Sequence, residues 1–237
     1  MIRDAVDLGY RHIDTASSYF NEESIGKAVN ELIAEGRVKR EDIFITTKIF
    51  GRRDNSSRTV EEVLKGVNLS LTKLNTSYVD LMLIHGPSND PVLNDDMWSG
   101  LEEALNRSLV KSIGVSNFNI TQLERLLKGA KVVPAMNQVE SHPQKSQKQL
   151  IDFCKGKGIQ VTAYSPLGAG TLVTNPTIVK IGQKYKKTAA QVMIRWQIQR
   201  GVVAIPKSTK RDRIDENINV FDFSLTAEDM KTLEDMK

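Results

Sequence analysis

Seven short apolar segments, each followed by a stretch with helical spacing, constrain the fold of this chain more than any other feature. Each segment is nearly continuous in apolar residues and ends in a polar one; they lie at 11–14, 43–48, 79–85, 113–117, 135–138, 160–165 and 202–207. Strands that are apolar on both faces belong to buried parallel sheets, and strands that alternate with helices form βαβ units. The pattern predicts an α/β protein.

The spacing of these segments favours a closed barrel over an open sheet. Six steps lead from Asp14 to Lys207 at about 32 residues a step, close to the roughly 31 residues per unit of a (β/α)8 TIM barrel. No G-x-G-x-x-G motif follows a strand, which weakens the dinucleotide-binding open sheet as an alternative. We predict a (β/α)8 TIM barrel that forms a single domain over residues 1–237.

The number of predicted strands is one short of the eight in such a barrel. The chain opens with what we interpret as the end of a helix, at residues 2–8, so the first β-strand is missing from the sequence. Two interpretations stay open: a fragment or shortened form, or a barrel that closes in an unusual way.

Helix signals separate the predicted strands. Asn21 is predicted to cap a helix whose first turn holds two glutamates, and a second helix has an apolar stripe over 60–74 that we expect in the core. Thr188 and Gln191 form a capping box, and Gly201 can end the helix that they open.

Composition narrows the class of partner. The chain has 33 Lys and Arg against 29 Asp and Glu, a formal net charge of +4, but the charges are interspersed. This surplus suits a phosphate-bearing small ligand, and we predict no nucleic-acid partner. The longest apolar runs are far below the roughly 20 residues of a membrane-spanning helix, so we predict no membrane partner. A charged N-terminal segment and a single cysteine, Cys154, favour the cytoplasm.

Residues with a common mechanism follow the predicted strands. The active site of a barrel lies at the C-terminal ends of its strands, where this sequence has Asp14, Lys48 and His85, with Tyr19 just beyond the first. A lysine cation paired with an aspartate lowers the pKa of a nearby phenol, which becomes a usable proton donor. A neutral histidine opposite can hydrogen-bond the carbonyl oxygen that receives the proton. No histidine or cysteine has metal-ligand spacing, so we predict no metal.

Five ordered motifs resemble those of the aldo-keto reductases. They are Gly-Tyr-Arg-His-Ile-Asp-Thr-Ala at 9–16 followed by Tyr19, Ile-Thr-Thr-Lys at 45–48, the segment 79–85, Gly-Val-Ser-Asn-Phe at 114–118 and Ile-Pro-Lys-Ser at 205–208. The resemblance extends from about residue 4 to the C-terminus. It implies a (β/α)8 barrel that transfers a hydride from NADPH to an aldehyde or ketone without a metal. The family's first strand and its C-terminal tail have no counterpart here.

The resemblance assigns catalytic roles to the four residues at the strand ends. Tyr19 corresponds to the general acid that protonates the carbonyl oxygen, with Lys48 and Asp14 tuning it. His85 corresponds to the residue that orients the carbonyl, and because it is not a glutamate, carbonyl reduction is favoured over double-bond reduction.

The resemblance also assigns the NADPH contacts. Those of the nicotinamide and pyrophosphate are Ser116, Asn117, Gln138, Tyr164, Ser165 and Leu167. Those of the 2′-phosphate and adenine are Lys207, Ser208, Arg213, Glu216 and Asn217. The basic residues flank the start of a predicted helix after the last strand, where amide groups and the helix dipole favour an anion.

Alternatives remain at this stage. One is a catalytically silent or truncated barrel that acts as a binding or structural protein, since one fold hosts several functions. Another is a barrel aldolase or lyase that uses Lys48 as a Schiff-base amine. The sequence does not name the aldehyde or ketone, and a monomer is expected only because family members are often monomers.

Overall fold

The structure is a computed structural model, and it describes residues 1–50 and 59–236. The chain divides into two compact units. The N-terminal unit comprises Ile2 and Tyr10–Asn137, and the C-terminal unit comprises Met1, Arg3–Gly9 and Gln138–Lys237, of which Lys237 lies outside the described residues. The single domain over residues 1–237 stays a prediction.

All seven predicted strands are present. They are β1 (His12–Asp14), β2 (Phe44–Ile49), β3 (Leu81–Ile84), β4 (Ile113–Ser116), β5 (Met136–Glu140), β6 (Gln160–Tyr164) and β7 (Val203–Ala204). In the N-terminal unit, β1 to β4 are parallel neighbours in chain order. In the C-terminal unit, β6 lies next to the end of β5 and pairs in parallel with β7. The predicted α/β class with a parallel sheet is confirmed.

Helices follow the strands as the sequence predicts. The N-terminal unit contains α2 (Glu22–Ala34), α3 (Val60–Leu74), α4 (Pro91–Asn106) and α5 (Ile120–Gly129). The C-terminal unit contains most of α1 (Ile2–Asp7) and all of α6 (Lys148–Gly156), α7 (Pro176–Tyr185), α8 (Ala189–Gln199), α9 (Arg211–Ile218) and α10 (Ala227–Glu234). Short 3-10 helices occupy Ser17–Tyr19, Arg40–Asp42 and Gly168–Thr174.

Helix α3 shows why the apolar stripe forms a helix and where the prediction was wrong. Thr59 Oγ accepts a hydrogen bond from the amide of Glu62 at 3.3 Å, and the Glu62 carboxylate accepts one from the Thr59 amide at 3.1 Å, which closes a capping box. The buried stripe comprises Val63, Leu64, Val67, Leu71 and Leu74. Val60, placed in the core by sequence, is 37% exposed because it begins the helix.

The contact between α2 and α3 depends on a glycine. A Cβ on Gly26 would lie 2.4 Å from the carbonyl oxygen of Leu74, so only glycine lets α2 approach the end of α3 this closely. The Asn30 side chain donates to that carbonyl at 3.4 Å and to the Gly26 carbonyl at 2.8 Å. The bond to Leu74 provides a partner for a carbonyl at the end of α3 that has none within the helix.

The start of α2 differs from the sequence prediction. The helix begins where expected, but the Asn21 side chain makes no capping hydrogen bond to its backbone. Instead, Asn21 Oδ1 accepts a hydrogen bond from the Thr15 hydroxyl at 2.6 Å. The tertiary bond competes with the local cap and joins the end of β1 to the start of α2.

The C-terminal unit confirms the predicted capping box of α8. Gln191 N donates to Thr188 Oγ at 3.2 Å, and Thr188 N donates to the Gln191 side chain at 3.0 Å. Gly201 follows the helix with φ of +74°, a conformation that favours glycine. Trp196 and Cys154 are fully buried, as expected of core residues. In the described part of the chain, every helix is too short or too polar to cross a membrane.

Candidate active site

The register of β1, β2 and β3 brings three sequence-predicted residues to one edge of the N-terminal unit's sheet. Asp14 pairs with Thr46, two residues before Lys48 on β2. His85 follows β3 directly, and its amide donates to the Ile49 carbonyl at 2.8 Å. Since the strands are parallel, Asp14, Lys48 and His85 all lie at carboxyl ends.

Asp14 and Lys48 form a buried ion pair. Lys48 Nζ lies 2.5 Å from Asp14 Oδ1 and donates a second hydrogen bond to the Thr15 carbonyl at 2.9 Å. The lysine is fully buried. Burial lowers the pKa of Lys48, and the negative charge of Asp14 opposes that shift. The aspartate therefore offsets part of a desolvation cost that favours the neutral amine.

Tyr19 lies beside this cation and is open to solvent. It ends the Ser17–Tyr19 3-10 turn, which the Ser17 hydroxyl fixes by donating to the Lys48 carbonyl at 3.0 Å. Lys48 Nζ is 5.1 Å from the centre of the Tyr19 ring, and Tyr19 is 49% exposed. The site thus places an accessible phenol next to a buried positive charge.

His85 lies next to Tyr19. Its ring meets the Tyr19 ring edge-on, with centroids 5.4 Å apart, and stacks on Phe50 at 4.1 Å. Ser18 Oγ lies 3.4 Å from His85 Nδ1. Burial, together with the positive charge of Lys48, lowers the pKa of His85 to about 4. His85 is consequently neutral at physiological pH.

Ser116 ends β4 beside His85, and Asn117 follows it directly. Ser116 is buried, and Asn117 has φ of +64°, a left-handed conformation that asparagine tolerates. The Asn117 amide donates to the His85 carbonyl and to Ser116 Oγ, both at 3.1 Å. The structure therefore brings these two predicted cofactor residues to the edge that holds the four predicted catalytic ones.

In the C-terminal unit, a second group of predicted residues follows β5 and β6. Gln138 is buried on β5, and Tyr164 ends β6 half-buried. Burial and the negative charge of Glu140 raise the pKa of Tyr164. Ser165 has φ of +48°, which turns the chain sharply after the strand, and Leu167 packs against the unit's apolar cluster.

The basic segment after β7, which extends into the first turn of α9, is the third predicted group. Lys207 and Arg213 are exposed, and neither has an ion-pair partner within residues 1–50 and 59–236. Ser208 Oγ accepts a hydrogen bond from the Lys210 amide at 3.1 Å. Arg211 differs, since it pairs with Asp4 at 3.1 Å. The two predicted cations are therefore available to an anionic ligand.

The last two predicted residues lie on α9. Glu216 Oε1 accepts a hydrogen bond from the Thr188 hydroxyl at 2.7 Å, and its carbonyl accepts one from the Gln191 side chain at 3.1 Å. Asn217 is buried. Glu216 thus already ties α9 to α8 in this structure.

Sequence reasoning missed several residues at the site. Ser17, Ser18 and Phe50 contact the catalytic residues, but no motif or spacing predicted those contacts. Glu22 was interpreted only as a charge in the first turn of α2. It is 1% exposed, and its Oε1 accepts a hydrogen bond from the Thr47 hydroxyl at 2.7 Å.

Comparisons with known proteins find similarity along nearly the whole chain. The family model of the aldo/keto reductase family matches residues 1–237. Glyoxal reductase of Bacillus subtilis is 44% identical over 233 residues, which cover 98% of this chain and 81% of the relative. A solved aldo/keto reductase of Brucella melitensis is 43% identical with a TM-score of 0.90, covering 98% of this chain and 87% of that one. A Bombyx mori aldo-keto reductase in complex with NADP is 38% identical with a TM-score of 0.92, covering 98% and 80%.

This chain belongs to the aldo/keto reductase family. The predicted resemblance is confirmed, and so is the (β/α)8 barrel as fold class, since solved aldo-keto reductases match nearly all of the chain. Membership of this family makes the protein an oxidoreductase.

Proposed function

We propose that this protein reduces an aldehyde or ketone to an alcohol with NADPH, using Tyr19 as the general acid. The observation that carries the proposal is the buried Asp14–Lys48 pair beside the accessible Tyr19 ring, with a neutral His85 next to it. This set offers a proton donor, a fixed positive charge and a neutral hydrogen-bonding group around one position, which is what carbonyl reduction requires.

Tyr19 gives its hydroxyl proton to the carbonyl oxygen as negative charge develops there. The Lys48 cation, 5.1 Å from the centre of the Tyr19 ring, stabilises the phenolate that remains, because opposite charges attract. Asp14 keeps Lys48 charged and oriented through the 2.5 Å contact. Since Tyr19 is about half exposed, solvent can return the proton after each turnover.

His85 binds and orients the carbonyl. It is neutral at the working pH, so it can donate one ring hydrogen without adding a second charge beside Lys48. Its Nε2 has no hydrogen-bond partner within the part of the chain that the structure describes. That nitrogen is available to a substrate.

The residues present fit NADPH, which when bound supplies the hydride. Lys207 and Arg213 are exposed cations near the start of α9, without an ion-pair partner among the described residues, and would hold the 2′-phosphate, with Ser208 beside them. Further contacts that we propose are Ser116, Asn117 and Gln138 to the nicotinamide carboxamide, Tyr164 to its ring, Ser165 and Leu167 to the pyrophosphate, and Glu216 and Asn217 to the adenine.

A Schiff-base role for Lys48 is less well supported. A lysine nucleophile must be neutral and free to attack, but Lys48 is fully buried and donates to both Asp14 and Thr15. The pairing with a carboxylate favours the protonated, unreactive form.

The direct test is NADPH consumption in the presence of reactive aldehydes. Because one relative is a glyoxal reductase, glyoxal is the first substrate to try, alongside an aromatic aldehyde. We expect NADPH absorbance to fall only when the aldehyde is present, with one alcohol formed for each NADPH oxidised. Tight NADPH binding with no turnover on any aldehyde would instead support a catalytically silent barrel.

Cofactor preference tests the basic segment. Charge-assisted hydrogen bonds contribute about 1.5 to 3 kcal/mol each, so Lys207→Met or Arg213→Met should weaken NADPH binding by about 10- to 100-fold. NADH affinity should hardly change, because NADH lacks the 2′-phosphate. Lys210→Met removes an exposed cation of the same segment and should have a smaller effect. Fluorescence titration measures all affinities, and equal losses for NADPH and NADH would contradict the assignment.

A further inference from the structure

Ser18 makes a side-chain contact with His85, the residue proposed to orient the carbonyl. The residue lies between Ser17 and Tyr19 on the same 3-10 turn, and its hydroxyl is 3.4 Å from His85 Nδ1. The turn that positions the proton donor therefore also positions a hydroxyl behind the histidine ring.

The role of His85 depends on which ring nitrogen carries its hydrogen. A neutral imidazole holds one hydrogen, on Nδ1 or on Nε2, and the other nitrogen is an acceptor. A carbonyl oxygen has only lone pairs to offer. The nitrogen that faces the substrate must therefore be the one that carries the hydrogen.

The partners of the two ring nitrogens are different. Within the described residues, His85 Nε2 has no partner in the protein, and His85 Nδ1 is the only side-chain contact of Ser18 Oγ. If the Ser18 hydroxyl donates to Nδ1, the hydrogen of the ring must be on Nε2. In the reverse arrangement Nδ1 carries the ring hydrogen, and Nε2 has none to donate to a carbonyl oxygen.

We propose that Ser18 is a positioning residue that holds His85 in the Nε2–H tautomer, ready to donate to the substrate carbonyl. This proposal rests on the proposed function, since the value of that tautomer is its hydrogen bond to a carbonyl. Contacts with two rings hinder a flip of the His85 ring that would move its nitrogens away from these positions. The Phe50 ring stacks on it at an interplanar angle of 15°, and the Tyr19 ring meets it edge-on at 84°.

Nitrogen NMR of the histidines tests the tautomer without any need for turnover. The chain has three histidines, so protein labelled with 15N-histidine gives three rings, and the His85→Gln variant identifies the signals of His85. At pH 7 His85 is neutral, and a protonated ring nitrogen resonates far from an unprotonated one. We expect wild-type His85 to have its hydrogen on Nε2.

Three variants distinguish the effect of the Ser18 hydroxyl on the His85 tautomer from the effect of other changes in the turn. Ser18→Ala should shift His85 toward the Nδ1–H form or a mixture, whereas Ser18→Thr keeps the hydroxyl and should retain Nε2–H. Ser17→Ala is the matched control, because the Ser17 hydroxyl donates to the Lys48 carbonyl and not to His85. It should leave the His85 tautomer unchanged.

Kinetics supply the second readout. A neutral hydrogen bond contributes about 0.5 to 1.5 kcal/mol, so Ser18→Ala should lower kcat by about 2- to 12-fold while the NADPH Kd stays the same. Ser18→Thr should recover most of the lost kcat. A merely structural defect would change cofactor affinity as well.

Two results would overturn the proposal: wild-type His85 with its hydrogen on Nδ1, or Ser18→Ala with the wild-type tautomer. These outcomes differ from a failure of the proposed function. In that case NADPH would not be consumed with any aldehyde, while the NMR spectra would still report the tautomer.

Discussion

The two ends of the same strands in the N-terminal unit each hold an aspartate paired with a cation. At the carboxyl ends, Asp14 pairs with Lys48 at 2.5 Å; at the amino ends, Asp80 pairs with Arg40 at 2.9 Å. Both aspartates are largely shielded from solvent. The chemistry of the two pairs is alike, so their surroundings must explain any difference in role.

At the amino ends, every group has a structural partner. Asp80 Oδ2 accepts from the Ile45 amide at 2.9 Å as well as from Arg40, and Lys111 Nζ is 3.6 Å from Oδ1. Arg40 and Lys111 both lie over the Tyr78 ring, at 4.1 and 4.0 Å. This cluster joins the starts of neighbouring strands, and its Tyr78 ring is less exposed than the Tyr19 ring.

At the carboxyl ends, the cation faces a reactive group instead. Lys48 lies beside Tyr19, a phenol about half exposed to solvent, and His85 leaves one nitrogen unpartnered within the described residues. In barrels of this class, the carboxyl ends of strands carry chemistry and the amino ends stability. We infer that the Asp14–Lys48 pair serves catalysis because its cation acts on an accessible phenol. The Asp80–Arg40 pair serves stability because both of its charges bind structural partners.

The same substitution at both ends tests this comparison with the largest expected effect. Asp14→Asn removes the charge that keeps Lys48 protonated, so kcat should fall by about 100-fold or more, since a positioned acid contributes about 10²- to 10⁴-fold. Asp80→Asn should leave kcat unchanged but lower the free energy of unfolding by about 1.5 to 3 kcal/mol, the contribution of hydrogen bonds to a charged group. Steady-state kinetics and urea unfolding measure the two quantities.

Both variants weaken a shielded ion pair, so both should lose stability. The comparison therefore depends on kcat, measured well below the onset of unfolding. A fall of kcat in Asp80→Asn as large as that in Asp14→Asn would break the distinction between the two ends.

Substitution of Tyr78, on which the two cations at the amino ends stack, should have a smaller effect on the free energy of unfolding. Tyr78→Leu removes the ring between Arg40 and Lys111 but keeps an apolar side chain. Cation–π contacts at exposed sites contribute about 0.5 to 1 kcal/mol each, so unfolding should become easier by about 1 to 2 kcal/mol. Tyr78→Phe, which keeps the ring, is the control and should lose much less. Equal losses in the two variants would show that the ring face is unimportant.

The smallest expected effect is on stability in acid, to which His85 contributes at the carboxyl ends of the strands. The pKa of His85 is about 4 in the folded protein, below its ordinary value of 6.5. As pH falls from 6.5 to 4, the unfolded chain takes up a proton at His85 that the folded protein does not, so unfolding becomes more favourable. The His85→Gln variant should show a weaker pH dependence of unfolding than the wild type. His12 and His142 are present in both and should contribute equally to each. Urea unfolding at pH 6.5 and 4.5 measures the free energy of unfolding of both proteins. An equal loss of stability in the wild type and the variant would contradict the lowered pKa of His85.

The parts that could be predicted from sequence are those that local patterns decide. The seven strands follow from apolar runs that end in polar residues, and Asp14, Lys48 and His85 follow because parallel strands end at one edge. The motif resemblance supplied the remaining site residues. Asn21 occupies the predicted N-cap position, but its side chain makes no capping hydrogen bond because Thr15 offers it a tertiary partner.

Contacts between loops lie beyond such patterns. Ser18 reaches His85 across 67 positions in the sequence, and Phe50 stacks on the same ring from the end of another strand. Neither residue type has a spacing that signals the contact, since both depend on how the turn after β1 meets the ends of β2 and β3. The tertiary structure alone brings them together.

The assignment of Tyr19 as the proton donor is tested most directly by Tyr19→Phe. The variant removes one hydroxyl and keeps the ring beside Lys48 and His85. Measured at saturating NADPH with a reactive aldehyde, kcat should fall by about 10²- to 10⁴-fold, the contribution of a general acid, while the NADPH Kd stays close to that of the wild type. A variant that turns over at the wild-type rate would show that the proton comes from another group.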